Sequence, residues 1–155
     1  LLNPVDLPPT NVHRMEGEQE PTEAARRYAE LLARELPEAD GGIGRFDLVL
    51  LGIGTDGHTA SLFPDSEALS IDDSPVAANY VDKLNAWRLT LTYPVLNRAR
   101  HILVLAEGEG KAEIVGNVLH NPRAAAPYPI QRVFPEGDMV WYVDEAAARH
   151  IGEAS

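Results

Sequence analysis

The chain has 155 residues, 45% hydrophobic and 24% charged, which suits one domain with a sizeable core. Its 24 acidic residues outnumber 13 basic ones, and the net charge of -11 argues against nucleic acid or an anionic membrane as partner. No apolar run is long enough to span a bilayer, and the lack of cysteine excludes disulfides and thiolate metal sites. That composition fits a reducing cytoplasm.

Residues 1–19 are proline-rich and polar and read as an irregular connection. They carry no initiator Met and no signal-peptide pattern, so the chain opens as though cut from something longer. Pro21 then starts a helical pattern with Thr22 and Glu23 early, an apolar stripe at Ala25, Tyr28, Leu31, Leu32 and Leu36, and Pro37 as its stop. After the flexible turn "DGGIG", the run "RFDLVLLGIG" has the profile of a strand buried on both faces.

The stretch "GIGTDGHTASLFP" follows at once. Residues 65–75 read as loop, "VAANYV" as a weak strand and "WRLTLTY" as an alternating one, and Pro94 opens a short turn or helix. "HILVLAEG" is a second wholly apolar strand, with the helix "GKAEIVGNVLH" directly after it. Four prolines mark residues 121–137 as loop, and "DMVWYVD" and "EAAARHI" close the chain as a strand and a helix. Only Lys83 and Lys111 are lysines, which mildly singles out both in a chain that otherwise prefers arginine.

The recurring strand–glycine–helix order predicts a single α/β domain over 1–155 with a mainly parallel sheet flanked by helices. Ligands of such sheets gather at the carboxyl ends of the strands, where both "GIGTDGH" and "EGEGK" fall.

Gly52, Gly54 and Gly57 match the G-x-G-x-x-G spacing of a dinucleotide-binding turn, and Asp72 and Asp73 stand where a ribose-binding acid belongs. Pro64 nevertheless leaves no room for the full helix that should face the pyrophosphate, and Asp56 would repel it. The ordinary alternative is a tight turn with Asp56 as its cap. The catalytic alternative makes His58 a base at neutral pH, with glycines on both sides of the acid letting backbone approach a ligand. The remaining histidines, His13, His101, His120 and His150, show no ligand spacing, so no metal is expected.

"LGIGTDGHTASLFP", "WRLTLTYPVLNRARHILVLAEGEGKAEIV", "MVWYVDEAAA" and "NVHRMEGE" resemble, in the right order, segments of the 6-phosphogluconolactonases. These are sugar-phosphate lactone hydrolases of the pentose phosphate pathway. Their superfamily also contains the hexosamine-6-phosphate deaminases and isomerases, which share the Gly-x-Asp-Gly-His turn but carry a catalytic Glu where this chain has Phe63. The resemblance therefore favours the lactonases, and it implies the three-layer, Rossmann-like fold of that superfamily. The family's N-terminal Ser-Gly-Gly loop and Asp-Glu-Arg segment do not occur here, so the chain corresponds to the C-terminal portion of such a protein.

The resemblance implies hydrolysis of 6-phospho-D-glucono-1,5-lactone with no cofactor, since δ-lactones are already reactive esters. It implies His58 as general base, with Asp56 orienting it, binding a substrate hydroxyl or merely capping the turn. Backbone N–H groups of Gly54, Thr55, Asp56 and Gly57 are candidates to hold the oxyanion. Lys111, following "EGEG" at a strand end, is the expected phosphate contact. Arg88 reaches the phosphate or makes a structural ion pair. The expected partner is the small sugar-phosphate lactone, the expected state a monomer or weak homodimer, and the expected location cytoplasmic.

Overall fold

The sequence alternates one long amphipathic segment with short apolar runs, and each run is folded by the helix or turn beside it. A computed structural model describes residues 4–36, 44–120 and 128–152. In chain order these form α1 (Pro21–Glu35), β1 (Leu48–Gly52), β2 (Val76–Val81), β3 (Ala86–Leu91), α2 (Tyr93–Asn97), β4 (His101–Ala106), α3 (Ala112–His120) and β5 (Asp138–Val143). Pro37 and residues 121–127 of the expected loop lie outside the described residues.

Pro21 suits the first turn of α1 because the N–H it lacks would have no helical partner there. Glu20 caps the same turn, its carboxylate accepting from the Thr22 and Glu23 N–H groups at 3.1 and 2.8 Å. The apolar stripe lands where the sequence places it. Ala25 and Leu32 are buried with Val76 of β2, and Tyr28, Leu31 and Leu36 pack around them. The solvent face carries Arg26 between Glu23 and Glu30.

β1, β4 and β5 make a parallel sheet in the order β1-β4-β5, with Leu48 opposite His101 and His101 opposite Asp138. β2 and β3 pair separately and antiparallel, with Asn79 opposite Arg88. The core gathers Val49, Leu51, Ile102 and Val104 from the sheet with Leu96 and Ala99 around α2 and Val115 of α3. The α/β class with a mainly parallel sheet and flanking helices holds as expected.

Two local expectations are corrected. β1 and β4 are apolar throughout but not covered on both faces by described residues. Val49 and Leu51 are buried while Leu48 and Leu50 are more than half exposed, and Leu105, Val140 and Tyr142 continue the open face. The last segment, 145–151, forms successive turns rather than a regular helix. Ala148 bonds back four residues to Asp144, but Ile151 bonds back only three, to Ala148, and Gly152 turns away at φ +101°. The three-residue bond at its end and the left-handed Gly152 keep these turns from joining into one helical ladder.

The sheet order positions the site. β1 and β4 are neighbours, so the glycine turn after Gly52 and the Glu107–Lys111 loop after Ala106 leave the same sheet edge side by side. Asp144, just past β5, ties the second loop down: its carboxylate accepts from Gly108 N–H at 3.0 Å and from Ala147 N–H at 2.8 Å.

Candidate active site

The chain leaves β1 through Ile53 and reverses at once. Gly54 N–H donates to the His58 carbonyl at 2.8 Å, and Gly57 N–H to the Gly54 carbonyl at 2.9 Å. Gly57 sits at φ +77°, and a Cβ there would lie 2.6 Å from the Tyr128 side chain, so only glycine closes this turn without strain. Thr59 Oγ1 donates to the Gly52 carbonyl at 2.8 Å, and Ile130 N–H donates to the Gly57 carbonyl at 3.1 Å. No helix follows: Leu62 bonds back to Thr59, and Ala60 adopts φ +50°. The helix that a pyrophosphate site requires is therefore missing.

Within this turn His58 is held on three sides. Its Nδ1 is 2.5 Å from Asp56 Oδ1, which also accepts the His58 backbone N–H at 3.2 Å. Its ring stacks on Phe63, with centroids 4.1 Å apart and planes 23° from parallel. Beneath it lies Gly54. An ionised Asp56 assigns the proton to Nδ1, which leaves Nε2 with its lone pair. Nε2 has no hydrogen-bond partner among the described residues.

Asp56 bears a second contact, Lys83 Nζ at 3.0 Å from Oδ2. Partial burial pushes the Asp56 carboxyl up. The His58 ring, the Lys83 ammonium and the His58 N–H outweigh that and hold it down at about 2. The group is thus an anion at any pH where His58 can act as a base. Asp56 is more than the turn cap that was one of its sequence readings, because it joins two charged or titratable side chains.

His58, Gly54, Thr59, Ser61, Thr90 and Lys111 line one cleft of about 500 Å³, with Met15 and Leu50 on its apolar side. Lys111 ends the short turn Glu109–Lys111 and directly precedes α3. It is half-buried and has no ion-pair partner among the described residues. A larger cavity of about 820 Å³ lies between α1 and β2, but its titratable lining is Arg26, Glu30, Glu67 and Asp73, with no histidine. Of these two, only the smaller cleft is lined by a histidine, His58.

The other expected residues divide. The N–H groups of Gly54 and Gly57 are spent inside the turn, whereas those of Thr55 and Asp56 make no hydrogen bond among the described residues. Arg88 is exposed on β3, pairs with no acid among the described residues, and is not part of the cleft lining. Its neighbour Thr90 is the residue that reaches the turn, accepting Ser61 N–H at 3.1 Å.

Three contributors escaped the sequence reading. Asn79, 2% exposed on β2, donates to the Ser61 carbonyl at 2.7 Å, so that Asn79 and Thr90 clamp Ser61 between them. Phe63 was visible only as the replacement for a glutamate, not as the plate under His58. Lys83 carried one signal, the scarcity of lysine, but nothing in the sequence connects it to Asp56.

Comparison with known proteins places the chain in a family. The family model for glucosamine-6-phosphate isomerases/6-phosphogluconolactonase matches residues 1–141. A 6-phosphogluconolactonase of Synechocystis sp. is 35% identical over 151 residues, covering 97% of this chain and 62% of that protein. The Homo sapiens 6-phosphogluconolactonase is 40% identical over 158 residues, covering 96% of this chain and 57% of that protein. Among solved structures, that of the devB protein superposes with a TM-score of 0.89 at 37% identity, over 97% of this chain and 63% of the other. The chain thus spans about six-tenths of the length of the curated relatives it matches. With most of its length matched by the family model and by these relatives, the chain belongs to the glucosamine-6-phosphate isomerase/6-phosphogluconolactonase family.

Proposed function

We propose that the protein hydrolyses 6-phospho-D-glucono-1,5-lactone to 6-phosphogluconate, with His58 as general base. The observation that carries this is the seating of His58: Nδ1 is fixed on Asp56 at 2.5 Å, and the ring lines the cleft that also holds Lys111. Its relatives' activity points to the same chemistry.

In this reading Nε2 takes a proton from water as the water oxygen attacks the lactone carbonyl carbon. The carbonyl electrons move onto oxygen; the Thr55 and Asp56 N–H groups, without partners among the described residues though outside the cleft lining, are the candidate donors. When the tetrahedral intermediate collapses, the bond to the ring oxygen breaks, and the His58 imidazolium returns its proton to that leaving oxygen. The product carboxylic acid then ionises in water. One such base contributes about 10²–10⁴-fold. Lys111 receives the phosphate, supplying cationic charge in a chain of net charge -11.

Amino-sugar phosphate isomerisation with deamination is the second reading, because the family description also names glucosamine-6-phosphate isomerases. Phe63 weighs against it. An apolar ring stacked on His58 stands where that chemistry has a carboxylate. The deciding experiment follows acid release from the lactone above its spontaneous opening, beside ammonia release from glucosamine 6-phosphate, using the full chain. Acid release lost at least tenfold in His58→Ala supports the proposal. Turnover of that variant at the parent rate, or ammonia as the product, overturns it.

A further inference from the structure

We propose that Lys83, at the tip of the β2–β3 hairpin, is a positioning residue that fixes the Asp56 carboxylate in the orientation that seats His58. The inference rests on the reading of His58 as the base. It concerns a residue that lies outside the cleft lining, so Lys83 is not assigned a contact with substrate.

The Asp56 carboxylate is engaged at both ends. Its two oxygens have different partners: Oδ1 takes His58 Nδ1 and the His58 N–H, and Oδ2 takes Lys83 Nζ at 3.0 Å. Rotation of the carboxyl group would break both sets together. Without Lys83, Oδ2 keeps no partner among the described residues, and the group can turn away from Nδ1. The imidazole then loses the contact that selects the Nδ1–H tautomer.

The lysine is itself placed by the hairpin. It sits in the turn Asp82–Leu84, which Asn85 closes in the left-handed region at φ +46°. Tyr80 OH donates to Asn85 Oδ1 at 2.5 Å, and Tyr80 meets Trp87 edge to face across the strands. Lower on the same hairpin, Asn79 and Thr90 hold Ser61. The hairpin therefore grips the catalytic turn on both sides of His58, at Asp56 by charge and at Ser61 by neutral hydrogen bonds.

Exposure decides where the effect appears. The Lys83 side chain is 65% exposed, and ion pairs of that kind add little to stability. Loss of Lys83 should leave the melting temperature almost unchanged and act on turnover through the geometry of the ring. The titratable groups around His58 are then Asp56, and Lys111 across the cleft.

The test compares the parent with Lys83→Met and Lys83→Arg in the full chain, by steady-state kinetics on the phosphorylated lactone and by ¹⁵N NMR of the His58 ring. The expected result for Lys83→Met is a kcat reduced roughly five- to tenfold with KM within about twofold, and ring signals moved toward the other tautomer. Lys83→Arg, which keeps the cation, should recover most of the loss. Turnover of Lys83→Met within about twofold of the parent, a loss confined to KM, failure of the arginine variant to recover, or identical ring signals each overturn the inference. The NMR arm needs no turnover, so it decides the role of Lys83 even if no lactone hydrolysis is found and the functional reading falls.

Discussion

The His58 ring occupies the volume that any side chain at position 54 would need: a Cβ on Gly54 would lie 2.0 Å from Nδ1 and 2.7 Å from Asp56 Oδ1. The two residues are also locked by the Gly54 N–H to His58 carbonyl bond, so neither can withdraw from the other without opening the turn. Gly54→Ala should therefore displace the imidazole and cost at least about tenfold in kcat, in proportion to a lost general base. The same variant should lower the melting temperature, because the added carbon is an overpacking error of roughly 1–3 kcal/mol. Calorimetry and lactone turnover on one preparation check both, and parent-like kcat would show that the ring position is not the working one.

Asp56 gives the site a pH signature. Its carboxyl is held at about 2 against an ordinary 3.8, so the folded chain favours the anion more than the unfolded chain does. A depressed acid contributes stability that is fully present above the ordinary value and is lost as pH falls through the folded value. The stability gap between the parent and Asp56→Asn should narrow as pH falls from about 5 toward 2. Denaturant titrations of both proteins across that range measure it. A gap that does not change with pH would mean that Asp56 acts there as a hydrogen-bonding cap alone.

Much of the fold was legible because the sequence states it locally. Pro21 and the stripe from Ala25 to Leu36 mark α1, and the apolar runs ending in glycines mark β1 and β4 with their loops. The convergence of His58 and Lys111 was also legible, since neighbouring parallel strands deliver their following loops to one side. What could not be read depends on long-range pairing. Lys83 meets Asp56, and Asn79 meets Ser61, only because the β2–β3 hairpin folds back over the turn, and no spacing encodes that. The apolar strands misled for a related reason. An apolar run says that a strand can be covered on both faces, whereas the described residues cover only one.

The clamp on Ser61 should show in stability before it shows in rate. Asn79 is almost fully buried, and its amide donates to the Ser61 carbonyl at 2.7 Å while Thr90 accepts the Ser61 N–H. Asn79→Leu removes the donor and leaves a partly buried carbonyl unpaired, a cost of about 1 kcal/mol. Urea denaturation should report that loss, and His58-dependent turnover should fall with it because the far end of the turn is released. A stable variant with unchanged turnover would leave Thr90 as the sole anchor.

Lys111 and Asp144 make separable predictions about the phosphate. Lys111 lines the cleft as a cation, whereas Asp144 never reaches it and acts by holding Gly108 N–H at 3.0 Å, with Gly108 at φ +88°. Lys111→Gln should raise KM for the phosphorylated lactone on the order of tenfold while barely changing the rate with unphosphorylated gluconolactone, as removal of one charge-assisted contact implies. Asp144→Ala frees the Glu107–Lys111 loop and removes the cap on Ala147 N–H, so it should raise KM less steeply and lower the melting temperature as well. Paired assays on the two substrates decide the matter. Equal losses on both lactones in Lys111→Gln would place the phosphate elsewhere, with exposed Arg88 the next group to replace.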